Sequence, residues 1–337
     1  MTVPLVRCSA YTPFLDFLTQ ADIRLGHEFD KSFIAAIVER DAETLVPVHL
    51  AHSILEKGAR KLGLADFGYV VGQHARIDDL GLFGRSLRHS MTLYDALGKL
   101  LTHFPLYSSA EQITWVPAGL EVYFFHHYRQ KTSSGSRYAQ QCALLLMRDA
   151  VRLVAGPQWQ PDKVFSPNPS NDKQIMESAF RGAAVCQASR YGLAFPSAFL
   201  HLAVPTRILG RSGNESDYTT LTASAPASDL VGSTRQVIAA MMIYGRCQFE
   251  EIAEAIGMSP RTLQRRLAEC GVRFSEVLSQ ARFDLAMKLM SDPTIRMIDV
   301  AFELGYAEQS SFTRAFRCWT GVAPSEFQRI HSDLPIR

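Results

Sequence analysis

The chain has 337 residues, 47% of them hydrophobic and 20% charged, with a formal net charge of +2 at pH 7. That length exceeds one ordinary domain, and the apolar content can fill two cores, which rules out a disordered chain. Near-neutrality argues against an indiscriminate polyanion binder, so any nucleic-acid affinity must come from local placement of charge.

The six cysteines, Cys8, Cys142, Cys186, Cys247, Cys270 and Cys318, form no C-x-x-C pair and have no histidine at metal-ligand spacing. Reduced, mostly buried thiols are expected, with no metal and no cofactor. No charged-then-apolar leader opens the sequence, and its longest apolar run, Ala143–Met147, is far short of a membrane span. The expectation is a cytoplasmic protein without membrane attachment.

In chain order, helical patterns cover Val48–Leu62 and Thr92–Phe104, the second opened by a Thr-x-x-Asp capping pattern from Thr92 to Asp95. Between Ile113 and Tyr128, β-branched and aromatic residues flank a Pro-Ala-Gly turn, which predicts two antiparallel strands. Tyr138–Ala155 returns to helix, and Phe195–Arg207 has room for another short strand. Helices mixed with antiparallel strands make residues 1–210 an α+β domain. Arg211–Ser228, rich in Ser, Thr, Ala, Gly and Pro, reads as a linker.

Residues 229–337 carry an all-helical pattern: Arg235–Tyr244, Phe249–Ile256, Ser259–Cys270, Phe274–Met290, Ile295–Leu304, Gln309–Trp319 and Pro324–His331. Within it a helix-turn-helix pattern is written twice. Ile252, Ala253 and Gly257 fall on Val300, Ala301 and Gly305 at an offset of 48 residues. One extra residue enters the second turn, and Leu263, Arg265 and Leu267 then fall on Phe312, Arg314 and Phe316 at an offset of 49. In each copy a short apolar helix ends at a glycine, where positive φ costs little, and a second helix starts a few residues later. Ser259 is placed to cap the first copy's second helix, with Pro260 at its first position.

Helical spacing turns Leu263, Leu267 and Cys270 inward and leaves Arg261, Gln264, Arg265 and Ala268 outside. In the second copy Phe312, Phe316 and Trp319 point in, while Gln309, Ser310, Thr313, Arg314 and Arg317 point out. Guanidinium pairs bidentately with guanine O6 and N7, and a carboxamide with adenine N6 and N7, whereas Ser and Thr more often serve phosphates. A solvated helix face is the bland alternative for one such helix; repetition weighs against it. The joining helix, Phe274–Met290, spans roughly 25 Å at 1.5 Å per residue, against major-groove windows recurring about every 34 Å on one DNA face.

Asp299–Phe327, DVAFELGYAEQSSFTRAFRCWTGVAPSEF, resembles the signature of AraC/XylS-type transcription regulators: Ala301, Gly305, Tyr306, Ser311-Phe312, Arg314-Ala315-Phe316, Gly321, Pro324 and the aromatic Phe327. The first copy fits through Ile252-Ala253, Gly257-Met258-Ser259 and Leu263-Gln264-Arg265. The resemblance implies a domain whose two reading helices enter adjacent major grooves of promoter DNA, usually activating transcription and working with RNA polymerase. It puts base readout on Arg261, Gln264 and Arg265, then on Gln309, Ser310 and Arg314, and a DNA-backbone contact on Arg282. The signature usually ends in Tyr-Arg and here reads Phe327-Gln328-Arg329, so a hydroxyl bond from that aromatic is lost.

The N-terminal region resembles the arabinose-binding-like domain of the ornithine-utilisation branch of these regulators, through Ala65-Asp66-Phe67-Gly68, Leu80–Phe83, Ser90-Met91-Thr92-Leu93, Gly156-Pro157-x-Trp159-x-Pro161 and Phe195-Pro196. What it implies is sensing of a small-molecule effector, with a homodimer allowed. A protein-interaction or dimerisation module without a small ligand is the competing reading, carried by an aromatic patch of Trp115, Phe124, Phe125 and Tyr128. An enzyme would need Cys142 or Cys186 as nucleophile, and neither stands beside a basic helper. A metal site would need a third ligand beside His49 and His52; His126 and His127, adjacent in a strand, point to opposite faces.

Overall fold

The computed structural model describes residues 2–22, 41–129, 133–205, 213–242 and 244–332. The chain divides into two compact units: Pro4–Pro226, and Ala227 onward, to which Val3 also belongs.

In the N-terminal unit, β1 (Leu5–Arg7) pairs antiparallel with β2 (Leu45–Pro47). Helices α1 (Thr12–Gln20), α2 (Val48–Leu62), α3 (Phe67–Gly72), α4 (Gly81–Arg88) and α5 (Leu93–Tyr107) follow. The Thr92 side chain accepts from the Asp95 N–H at 3.2 Å, so the predicted cap opens α5. Next comes the predicted hairpin, β3 (Glu111–Ala118) and β4 (Glu121–Tyr128), turning at Gly119 with φ of 64°. Helix α6 (Ser136–Ala155), β5 (Lys163–Ser166), α7 (Pro169–Ala179), β6 (Ala184–Gln187) and β7 (Tyr191–Pro196) complete a five-stranded sheet of order β3-β4-β7-β5-β6, parallel only between β5 and β6.

Alternation along β4 buries Val122, Phe124 and His126 on one face. Leu144, Leu145 and Val151 of α6 are fully buried in the same core. The short strand expected within Phe195–Arg207 lies earlier in the chain: β7 ends at Pro196, and Ser197–His201 forms a 3₁₀ turn, with Arg207 outside the described residues.

The stretch Arg211–Ser228, which composition marks as a linker, holds a helix, α8 (Gly213–Ala223). Its hydroxyls bond back to carbonyls one turn earlier, Thr220 to Ser216 at 2.9 Å and Thr222 to Tyr218 at 2.8 Å, which satisfies a Ser/Thr-rich segment without a strong apolar stripe. One apolar side chain anchors it, Leu221, with no exposure. Arg7, itself fully buried, donates to the carbonyls of Leu221 at 2.9 Å and Ser224 at 3.3 Å, tying the helix end into the N-terminal unit.

The C-terminal unit is all-helical: α9 (Leu230–Met242), α10 (Phe249–Ala255), α11 (Pro260–Glu269), α12 (Phe274–Met290), α13 (Met297–Glu303), α14 (Gln309–Thr320) and α15 (Pro324–Ser332). Val237, Ile238 and Met241 of α9, with Ala281 and Ala286 of α12, are fully buried. An ion pair from Arg235 to Asp284 at 3.4 Å joins the same two helices. Among the described residues no helix is long and apolar enough to cross a membrane.

Candidate nucleic-acid interface and internal cavity

The two helix-turn-helix copies share a backbone. Gly257 and Gly305 adopt φ of 73° and 75°. In each turn the glycine N–H donates three residues back, Gly257 to Glu254 and Gly305 to Phe302, both at 2.9 Å. The next N–H reaches five back, Met258 to Ala253 at 2.9 Å and Tyr306 to Ala301 at 3.0 Å. This is the hydrogen-bond pattern of a Schellman C-cap, and it ends the supporting helix identically in both copies. Ile252, Ala253, Leu263 and Leu267 are buried in the first copy, as are Val300, Ala301, Phe312 and Phe316 in the second. The caps that start the reading helices differ. Ser259 accepts from the Thr262 N–H at 3.2 Å, whereas α14 is preceded by Glu308, whose side chain caps no backbone N–H and accepts instead from the Ser310 hydroxyl at 3.0 Å.

Arg261, Gln264, Arg265, Gln309, Ser310, Arg314 and Arg317 are exposed, and Thr313 is half-buried. Arg265 is tied to Glu269, one turn on, in an exposed ion pair, while Arg314 and Arg317 have no ion pair among the described residues. Arg282 is half-buried: its Nε donates to the Leu304 carbonyl at 3.1 Å, and its guanidinium stacks 4.5 Å from the Tyr306 ring centroid. It fastens the connecting helix to the second turn. Cys270, expected inward, is exposed, because α11 ends at Glu269 and Gly271 turns the chain at φ of 75°. Trp319 is half-buried, with its Nε1 donating to Ser279 at 3.3 Å. The Arg265–Glu269 pair was readable from its four-residue spacing; the Arg282 stack was not, since it joins elements far apart in sequence.

The N-terminal unit contains a cavity of about 70 Å³ lined by apolar and aromatic side chains of α1, α4, α5, β3 and α6, among them Phe14, Phe83, Phe104 and Met147. Glu111 and His126 also line it, with His126 Nε2 3.3 Å from Glu111 Oε2. Beside them His52, on α2, meets the Tyr128 hydroxyl at 3.1 Å, and burial pulls its pKa down to about 4. No sequence motif marks this cavity, because its walls are ordinary core residues.

The histidines do not converge as ligands. His49 is exposed while His52 is buried, and His126 is buried while His127 is half-buried on the other face. Among the described residues no three His, Cys, Asp or Glu side chains are grouped to hold a metal ion. Burial raises the Cys142 thiol to about 12, the opposite of what activates a nucleophile. The aromatic residues expected as a patch are divided among environments. Phe124 is core, Phe125 packs on Phe165 at 5.4 Å, and Trp115 meets Tyr94 at 5.6 Å.

Two turns of one geometry, each presenting an exposed polar helix and joined by a single rod, define a double helix-turn-helix DNA reader that follows an α+β domain in the chain. Residues 252–330 match the family described as a helix-turn-helix domain, and residues 32–204 match the arabinose-binding domain of AraC transcription regulators, N-terminal. The regulator VirS of Mycobacterium tuberculosis is 30% identical over 290 residues, 82% of either chain. The ornithine utilization regulator of Pseudomonas aeruginosa is 34% identical over 79 residues, 23% of either chain. The crystal structure of the transcriptional regulator CdpR from P. aeruginosa aligns over 95% of this chain and 98% of that one, at 21% identity and a TM-score of 0.42. The chain belongs to the AraC family of DNA-binding transcription regulators. The arabinose-binding family and both relatives are described as regulators.

Proposed function

We propose that residues 229–337 read two consecutive major-groove segments of promoter DNA through α11 and α14, and that residues 1–210 hold a small-molecule effector that sets how those helices engage. The observation that carries the reading is the repeated turn at Gly257 and Gly305, which gives both polar helix faces the same support. Arg261, Gln264 and Arg265 on α11, with Gln309, Ser310 and Arg314 on α14, are the base-reading side chains. Thr313 and Arg317 serve phosphates. Arg282 contacts the DNA backbone from the connecting helix and also braces the second turn. Activation follows from contact with RNA polymerase at the promoter, and a homodimer linked through the N-terminal unit would add affinity by joining two readers.

The test is selection of a DNA site with the full chain, followed by binding titrations from low to high salt. The logarithm of affinity should fall linearly with the logarithm of salt concentration, as release of counterions from several phosphates requires. Failure to enrich any sequence, or an affinity indifferent to salt, would overturn the reading.

A further inference from the structure

The cavity behind the β3–β4 hairpin has the composition of a binding site in which one polar corner is incomplete. Its walls are aromatic and aliphatic, and among the described residues no lysine or arginine lines it. The Glu111 side chain is 12% exposed and the His126 side chain 2%. With the carboxylate of Glu111 accepting from Nε2–H, the imidazole Nδ1 carries the lone pair. That atom is buried and has no hydrogen-bond partner. A buried acceptor left unmet is costly, and the Tyr11 and Tyr107 hydroxyls and the Cys142 thiol, which also line the cavity, do not bond to it.

We propose that this cavity is the effector site, and that it takes a compact, uncharged, mainly apolar molecule bearing one hydroxyl, which donates its proton to His126 Nδ1. This deepens, and rests on, the reading that the N-terminal unit senses an effector. Size and charge both restrict the class. The void of about 70 Å³ is less than half the roughly 150 Å³ apolar cavity known to admit benzene, so a short alkyl chain fits as it stands and one ring is the upper limit, entering only as the walls give way. The unbranched side chain of Met147 can yield to seat it. A ligand carboxylate would sit beside the Glu111 carboxylate with no lysine or arginine to compensate it. An ammonium head would lose its hydration to meet a carboxylate already bonded to His126.

The experiment uses the full chain at pH 7.5 with four probes that share one ring and differ in the head: benzyl alcohol, toluene, benzoate and benzylamine. Binding is followed by titration with thermal-shift and ligand-observed NMR, and the selected DNA site is titrated in the same samples. Benzyl alcohol should bind saturably, about tenfold more tightly than toluene, the ratio that roughly 1.4 kcal/mol gives. Benzoate and benzylamine should not saturate. In His126→Phe the preference for alcohol over toluene should vanish, and Ala143→Phe, which fills the space, should abolish binding of both. Should either variant fail to fold, ¹⁵N NMR of the wild-type imidazoles replaces it: benzyl alcohol must shift the Nδ1 resonance of one histidine and toluene must not.

Equal affinity for alcohol and toluene, preference for benzoate or benzylamine, undiminished binding by Ala143→Phe, or no saturable binding of any probe would overturn the assignment. A chain that reads its DNA site but binds none of the probes defeats the cavity assignment alone. One that binds benzyl alcohol through His126 without any change in DNA affinity defeats the effector reading alone.

Discussion

The two units dispose of their polar groups in opposite ways. The N-terminal unit buries Arg7, His52, His126, Arg148 and Asp149, whereas the buried polar side chains of the C-terminal unit, among the described residues, are the hydroxyls Ser233 and Thr234. A DNA reader keeps its chemistry on the outside, where water satisfies it until phosphates and bases take over. The N-terminal unit instead encloses ionisable groups that must be partnered inside. Stability in the N-terminal unit should therefore depend on specific polar residues and on pH, while substitutions on the outer faces of α11 and α14 should alter binding and leave stability unchanged.

The sharpest break in that comparison is expected at Arg7. Its Nε donates to Leu106 at 3.1 Å, Nη1 to the Glu43 carbonyl at 2.9 Å and to the Ser224 hydroxyl at 3.1 Å, and Nη2 to Leu221 at 2.9 Å. A carboxylate oxygen of Glu43 lies 3.5 Å from Nη1. Arg7→Ala strands several of these groups, and loss of one partner of a buried pair costs about 3–5 kcal/mol. Hydrogen exchange should show α5, β3 and β4 losing protection by that amount while α10–α14 keep theirs; equal loss in both units would refute the contrast.

The next effect is a pH dependence confined to the N-terminal unit. Burial holds His52 at about 4, below its ordinary value of 6.5. Between those values the unfolded chain binds the proton more readily, so stability is full above about 6.5 and falls as the pH drops towards 4. One proton gives a slope of about 1.4 kcal/mol per pH unit. Denaturant midpoints measured from pH 7 to 5 should fall accordingly, and His52→Gln should flatten that part of the profile. A parent profile already flat would mean that His52 is charged in the folded protein.

This contrast also explains what could be read from the sequence. The reader was legible because its apolar residues repeat at helical spacing and its glycines stand at corresponding positions, so Leu263 and Phe312, or Gly257 and Gly305, reveal one another. The hairpin was legible because alternation along Val122–His126 is a local signal. Arg7, His126 and the cavity were not, since a buried ionisable residue looks like any surface charge until tertiary contacts assemble around it. Helix α8 escaped for a related reason: Leu221 and the Arg7 clamp hold it, and neither gives the segment a periodic stripe. The stack of Arg282 on Tyr306 was not legible either, because it depends on a turn 24 positions away.

Binding effects of intermediate size should distinguish the two reading helices. Arg314→Ala is expected to lose about 1–3 kcal/mol at the selected site and to relax base preference nearby. Arg265→Ala should lose less, because Glu269 already competes for its guanidinium. Glu269→Ala should consequently tighten binding in the parent and have no effect in Arg265→Ala. Anisotropy titrations of the four proteins form a double-mutant cycle; additive effects of Glu269→Ala and Arg265→Ala would dispose of the competition.

The smallest expected effect tests whether the two copies are equivalent as backbones. Gly257 and Gly305 hold φ near +75°, where an L-residue costs roughly 1–2 kcal/mol. A Cβ at Gly305 would come no closer than 3.8 Å to Cys247 Sγ and 3.9 Å to an Arg282 nitrogen, which is ordinary contact, so the penalty there is conformational and not steric. Gly257→Ala and Gly305→Ala should then destabilise the C-terminal unit by similar amounts, each roughly 1 kcal/mol, measured as loss of amide protection in α10–α14. If Gly305→Ala cost several times more than Gly257→Ala, the Arg282–Tyr306 stack would have to be straining the second turn, and the shared skeleton would hold in outline but not in energy.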